Sequence, residues 1–290
     1  MRKENVMLIR FNVGNFLSFS ENESGLSEEF SMISNKNIKN KKRHIFDNDE
    51  IQLLKFAALY GKDARSLKNL LKAMKFMKDT ILNDLPADCK EMYCKTDESN
   101  KTKPSYFELE MMIHNKYYAY GFQVILSQAE FTSEWLVELK SDGSERIIYE
   151  KGFAHTENRL RLPSAKEEVM QNVYKWIKED FIVYSSDLNQ PDNLILNEDK
   201  TYIASFENCK NRDEIYAFVQ EYLKLAEKMK IQLIITTKAT KLMDLKLLRR
   251  DEIWFISRRR TKNHSIYSLD EFDDRFDKNL EIAYLDGRFD

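Results

Sequence analysis

The shortages in this chain are the first guide to it. Cysteine is scarce: Cys89, Cys94 and Cys209 are an odd number in a chain of 290 residues, which excludes a disulfide-stapled miniprotein. Histidine is as sparse, at positions 44, 114, 155 and 264, and Cys89 and Cys94 have no second pair downstream, so no structural metal site is expected. Glycine (7) and proline (4) are too few for low-complexity or collagen-like sequence. No apolar run approaches the ~20 residues needed to cross a bilayer. The longest, Ile231 to Ile235, is strand-sized, and the opening MRKENVMLIRFNVGNF lacks the unbroken apolar stretch of a secretion signal. A cytoplasmic chain with no membrane insertion is expected. Neither sign of charge is in excess, since 46 Lys and Arg face 48 Asp and Glu for a net charge of -2; a polybasic nucleic-acid protein or an acidic tail is excluded.

What is present suffices for a fold. Hydrophobic residues make up 42% and aromatics 12%, too much apolar matter for intrinsic disorder. Met7 to Phe11, Val13 to Phe19 and Phe30 to Ile33 read as strands, and residues 35–50, NKNIKNKKRHIFDNDE, as a solvated polar loop with a basic and an acidic half. Leu53 to Tyr60 is a strand-sized apolar run ending at Gly61, followed by a helix in which Leu67, Leu70, Leu71, Met74 and Met77 recur at helical spacing, a core or interface face. Pro86 to Pro104 reads as a mobile loop. Tyr106 to His114, Lys116 to Leu126, Phe131 to Leu139 and Arg146 to Glu150 then alternate as a four-stranded meander, with turns at Asn115-Lys116 and Asp142-Gly143.

Farther on, Ala165 to Asp180 is an amphipathic helix with Val169, Val173, Trp176 and Ile177 on one face. Strands over Phe181 to Tyr184, Thr201 to Phe206, Ile231 to Thr236, Glu252 to Ile256 and Ser265 to Ser268 alternate with helices over Asp213 to Lys230 and Leu242 to Leu248. That alternation predicts an α/β chain with a parallel core in the carboxyl half and antiparallel sheet in the amino half.

A strand, a glycine and a helix in succession invite a test for a phosphate-binding loop, G-x-x-x-x-G-K-[ST]. There the second glycine permits close backbone approach, the lysine contacts the β- and γ-phosphates and the hydroxyl ligates Mg²⁺. The segment here is Gly61, Lys62, Asp63, Ala64, Arg65, Ser66, Leu67, Lys68. Gly61 matches, but Ser66 replaces the second glycine, Leu67 the lysine and Lys68 the hydroxyl. One step along a helix turns a side chain by about 100°, so Lys68 does not substitute for the missing lysine. Gly61, Lys62, Arg65 and Lys68 are therefore the residues of a degenerate phosphate loop, to be weighed against a plain solvated helix start.

Four stretches resemble a known family: MLIRFNVGNFLSFSE, FAALYGKDARSLKNLLKAMKFMKD, YFELEMMIHNKYYAYGFQVILSQAEFTSEWLVEL, and IQLIITTKATKLMDLKLLRRDEIWFISRR with IYSLDEF and NLEIAYLDGRF. They are similar to the ABC-like AAA-type ATPases of bacterial abortive-infection and phage-defence systems, relatives of the ATPase part of the overcoming-lysogenization-defect nucleases. The resemblance implies an ABC-ATPase-like P-loop head: one domain over residues 1–290, a mixed core sheet flanked by helices, and an antiparallel β-subdomain at 104–150 inserted before an α/β half at 165–290.

It also implies where the chemistry is lost. The family's I-D-E-x-D followed by Ser-Leu-His corresponds to Ile203, Ala204, Ser205, Phe206 and Glu207, with Asn211 at the histidine, so the Mg²⁺-binding Asp and water-activating Glu are gone. The switch histidine of T-T-H-D is Lys238, a candidate for an internal ion pair, and the S-x-G signature region is missing between Tyr184 and Thr201. Glu207 without a metal partner is a poor general base. The expectation is a catalytically dead pseudo-ATPase with no catalytic residue, no metal and no cofactor of its own. It would act as a structural or regulatory subunit beside itself, an intact ATPase paralogue or a nuclease-type effector. Two alternatives stay open: a divergent ATPase that binds ATP and Mg²⁺ with groups supplied by a partner, and a nucleic-acid-binding scaffold using Arg258, Arg259 and Arg260, whose other reading is a solvated basic hairpin tip.

Overall fold

In a computed structural model of the chain, residues 6–20, 27–39, 41–61, 64–140, 142–153, 159–196, 199–257 and 265–289 are described, and of residues 64–66, 185 and 276 the backbone alone. In chain order the strands and helices are β1 (Val6–Gly14), β2 (Glu28–Ser31), β3 (Ile45–Asp47), β4 (Gln52–Leu54), β5 (Phe56–Tyr60), α1 (Ala64–Asn83), β6 (Ser105–Ile113), β7 (Lys116–Ile125), β8 (Glu130–Leu139), β9 (Glu145–Gly152), α2 (Glu168–Glu179), β10 (Phe181–Asp187), β11 (Thr201–Ser205), α3 (Arg212–Ala226), β12 (Gln232–Thr236), β13 (Ile253–Ser257), β14 (Ser265–Ser268) and α4 (Leu280–Leu285). They fall into two compact units, one within Met1–Ser31 and Lys72–Phe181, the other within Met32–Leu71, Ile182–Thr261 and Ser265–Asp290.

The first unit is an antiparallel sheet in the order β2-β1-β6-β7-β8-β9. Alternate residues of β6 are buried, as the period-2 pattern predicts. The segment 104–150 lies within this unit and shares its sheet with β1 and β2. Its first turn is one residue earlier than expected: His114 and Asn115 take the positive φ angles, 54° and 61°, that a two-residue hairpin loop needs. Phe16, Phe76 and Phe107 meet with ring centroids 5.0–5.1 Å apart, which places the middle of α1 on the sheet's buried face. Gly121 is required by packing, since a Cβ there would lie 2.3 Å from the ring of Trp135. On α2, Met170 is buried and Val169 only partly so; Val173, Trp176 and Ile177 are buried as expected.

The stretch between Pro86 and Pro104 is not a free loop. The Asn15 amide donates to the carbonyls of Asn100 and Lys103 at 2.8 and 3.0 Å, and its Oδ1 accepts from the Cys94 amide at 3.1 Å, which ties the segment to the end of β1. Asn15 itself has a φ of 50°, a conformation asparagine tolerates better than most residues.

The second unit carries a mixed sheet in the order β10-β11-β12-β5-β13-β14, in which β11, β12, β5 and β13 run parallel and β14 antiparallel. β5, β11 and β12 are buried along their whole length, which is why they read as unbroken apolar runs. Two expectations fail here. The loop 35–50 contains a 3-10 turn at Lys42–His44 and then β3, paired with β4, so the apolar run before Gly61 is two strands broken at Lys55. No α-helix spans 242–248: after a 3-10 turn at Thr240–Leu242, the Asp244 carboxylate takes the Lys246 amide at 2.8 Å, and the Lys41 ammonium takes the carbonyls of Leu245 and Leu248. These side-chain bonds replace the backbone ladder that a helix would need. Among the described residues no helix is long and apolar enough to cross a membrane.

Candidate functional site at the strand ends

In an open α/β sheet the natural ligand crevice lies beyond the carboxyl ends of the parallel strands. In the second unit that region collects the residue after β5, the start of α1 and the ends of β10, β11 and β12. Gly61 follows β5 directly, and a Cβ on it would sit 2.9 Å from the Ile256 carbonyl oxygen and 3.1 Å from Cγ of Leu67. Its glycine is accounted for by the close approach of β13 and Leu67. Leu67, at the position of a phosphate-binding lysine, is fully buried.

Lys68 is one residue farther along α1, and its Nζ reaches the carboxylate of Asp187, at the end of β10, at 2.8 Å. The hydrogen bond that Lys68 donates to Asp187 holds its ammonium above its ordinary range, and the nearby charges of Asp187 and Glu207 act in the same direction. Asp187 also accepts hydrogen bonds from the Ser205 hydroxyl, at the end of β11, and from the Asn208 amide at 3.1 Å. Glu207 lies just past β11 with its side chain 1% exposed, and the Lys238 ammonium stands 4.0 Å from its Oε2. The site thus holds two cations and two carboxylates that face one another.

The remaining sequence candidates separate from this cluster. Asn211 caps α3, its Oδ1 accepting from the amides of Asp213 and Glu214 at 3.1 and 3.4 Å. Ala204 is a buried residue of β11. Arg65 and Ser66 belong to the first turn of α1 by their backbone, and their side chains are not described; Lys62, Arg258, Arg259 and Arg260 lie outside the described residues. Asp187 was not foreseen, because only the neighbouring of β10 and β11 brings it beside Ser205. A triphosphate with Mg²⁺ does not fit the described residues as a phosphate loop would hold it. Leu67 brings no charge to the lysine position, and an ammonium at the hydroxyl position ligates no metal.

The densest buried charge of the unit lies elsewhere, where the chain enters β13. Arg249, 1% exposed, donates from Nε and Nη2 to the two oxygens of Asp251 at 2.9 and 2.7 Å, and further to the carbonyls of Ile38 and Asn35. Glu252 accepts from the Arg249 amide at 2.7 Å and pairs with His44, also buried. Burial raises the Glu252 carboxyl above its ordinary range, against the pull of His44. Neither His44 nor this cluster was singled out from the sequence as a site. The signal available was the unbroken charge of Arg249, Arg250, Asp251 and Glu252 directly before an apolar strand.

No family model and no curated protein matches the sequence. Among solved structures the chain is similar to the "SMC head domain from Thermotoga maritima", with a TM-score of 0.40 and 13% identity over 90% of this chain and 98% of that one. A likeness at that level assigns no residue roles.

Proposed function

We propose that this chain is a catalytically inactive relative of P-loop ATPase heads, a pseudo-ATPase that works as a structural or regulatory subunit in a bacterial phage-defence or toxin–antitoxin-type complex. The observation that carries this reading is the pair Leu67 and Lys68: the phosphate-lysine position is a buried leucine, and the next residue is committed to Asp187. A charge-assisted phosphate contact contributes about 1.5–3 kcal/mol, and its loss removes transition-state stabilisation as well. The defence context and the partner rest on the sequence resemblance alone. The partner is a second copy, an intact ATPase paralogue or a nuclease-type effector.

Co-expression with the neighbouring genes, followed by size-exclusion with light scattering and a Mg²⁺-ATP turnover assay, tests this reading. A stoichiometric complex with no turnover attributable to this chain is expected; turnover by the purified chain alone would overturn it. A second reading, a divergent ATPase completed in trans, draws on Glu207, which stands at the strand ends with a cation opposite. It requires that Lys68→Ala abolish nucleotide binding in the complex. The nucleic-acid scaffold reading requires binding that weakens with salt.

A further inference from the structure

The 3-10 turn at Lys42–His44, the flank of α3 and the turn at 244–247 enclose a cleft of about 270 Å³ in the second unit. That is just under the roughly 300–1,000 Å³ usual for ligand sites, so its occupant is compact. The most buried polar residue on its wall is His44, with 1% of its side chain exposed. The ring's Nδ1 lies 2.9 and 3.0 Å from the two oxygens of Glu252, and Glu252 is fixed in turn by the Arg249 amide. An imidazole pinned through Nδ1 presents Nε2 on its other edge, as in the carboxylate–histidine pairs of metal and catalytic sites. Nε2 has no hydrogen-bond partner among the described residues.

Around it the cleft carries Arg43, Lys224 and Lys246 against a single acid, Asp244. Asp244 is already engaged, accepting from the Tyr216 hydroxyl at 3.0 Å and the Lys246 amide at 2.8 Å. Arg43 meets Glu227 at 3.2 Å and Lys224 meets Glu221 at 2.7 Å, but both pairs are exposed and exchange readily for a stronger partner. The ammonium of Lys246 has no ion-pair partner among the described residues. A rim of exposed cations over a buried, pre-oriented imidazole is the arrangement that receives a multivalent oxyanion: guanidinium and ammonium take its charge, and the fixed ring sets its orientation.

We propose that this cleft binds a small soluble phosphate monoester, with Arg43, Lys224 and Lys246 on the phosphate oxygens and His44, held through Nδ1 by Glu252, donating to one of them from Nε2. This inference does not rest on the pseudo-ATPase reading, because none of its residues belongs to the cluster at Lys68. Isothermal titration of the full chain with ribose 5-phosphate, and with ribose as the neutral control, tests it. Ribose 5-phosphate should bind and ribose should not. Lys246→Glu and Arg43→Glu, both at exposed positions and checked for folding by their melting curves, should each weaken binding about tenfold or more, while Lys68→Ala leaves it unaltered. His44→Gln, checked for folding by circular dichroism, should weaken it as well. No heat from millimolar ribose 5-phosphate, or affinity unchanged in both Lys246→Glu and Arg43→Glu, would overturn the proposal.

Discussion

The second unit handles charge in two opposite ways. Past the carboxyl ends of β10, β11 and β12, Lys68, Asp187, Glu207 and Lys238 neutralise one another in pairs whose lysines are about half exposed. Where the chain enters β13, Arg249, Asp251, Glu252 and His44 are almost wholly buried, and the His44 ring forms part of a cation-rimmed cleft. At the strand ends the charges meet in pairs through partly exposed lysines, whereas the buried cluster at β13 borders a cleft through His44. Under the proposed reading, a ligand site is marked by charge whose desolvation has been met and whose geometry is fixed.

This contrast yields an ordered set of expected effects. Arg249→Ala removes a buried guanidinium and strands Asp251, so it should cost about 3–5 kcal/mol in urea unfolding. Leu67→Ala should cost about 2–5 kcal/mol for the cavity it leaves. Leu67→Lys should cost at least as much through the desolvated ammonium, and should confer no nucleotide affinity. A tolerated Leu67→Lys that gains ATP binding would show instead that one side chain keeps nucleotide from this position.

Alkaline pH gives a third test. Burial raises the phenols of Tyr60, Tyr120 and Tyr222 well above the ordinary tyrosine range. A raised acid pKa means that the folded chain keeps protons the unfolded chain releases. Stability from these groups is therefore full below about pH 10 and is lost as pH rises beyond it, by about 1.4 kcal/mol per phenol per pH unit. Absorbance near the phenolate band should show these three phenols ionising only as the chain unfolds. Gly61→Ala, with its Cβ facing the Ile256 carbonyl at 2.9 Å, should cost about 1–3 kcal/mol by differential scanning. Lys68→Ala should be the mildest, about 0–1 kcal/mol, since its ammonium is well exposed to solvent; a loss as large as that of Arg249→Ala would erase the distinction between the two places.

Much of the scaffold was legible in the sequence because each strand announces its surroundings. β6 alternates because one face is buried, and β5, β11 and β12 are continuous runs because both faces are. The expectation that Leu67 and Lys68 depart from a phosphate loop depends on spacing alone. What was not legible depends on contacts remote in the chain. The stretch 35–50 looks solvated because its charges are read without their partners; Lys41 reaches the Leu248 carbonyl and His44 reaches Glu252 only after folding. The apolar spacing of 242–248 suggests a helix, but backbone groups there are taken by Lys41 and Asp244. Asp187 acquires its role from strands adjacent in the sheet and separate in sequence.

At the position proposed for a degenerate phosphate loop, Leu67 is buried and Lys68 pairs with Asp187. The decisive experiment is isothermal titration of the purified chain with Mg²⁺-ATP, with phosphate release followed in the same sample. No turnover and no heat that depends on Lys68 are expected; saturable binding abolished by Lys68→Ala, or hydrolysis by the chain alone, would overturn the pseudo-ATPase reading.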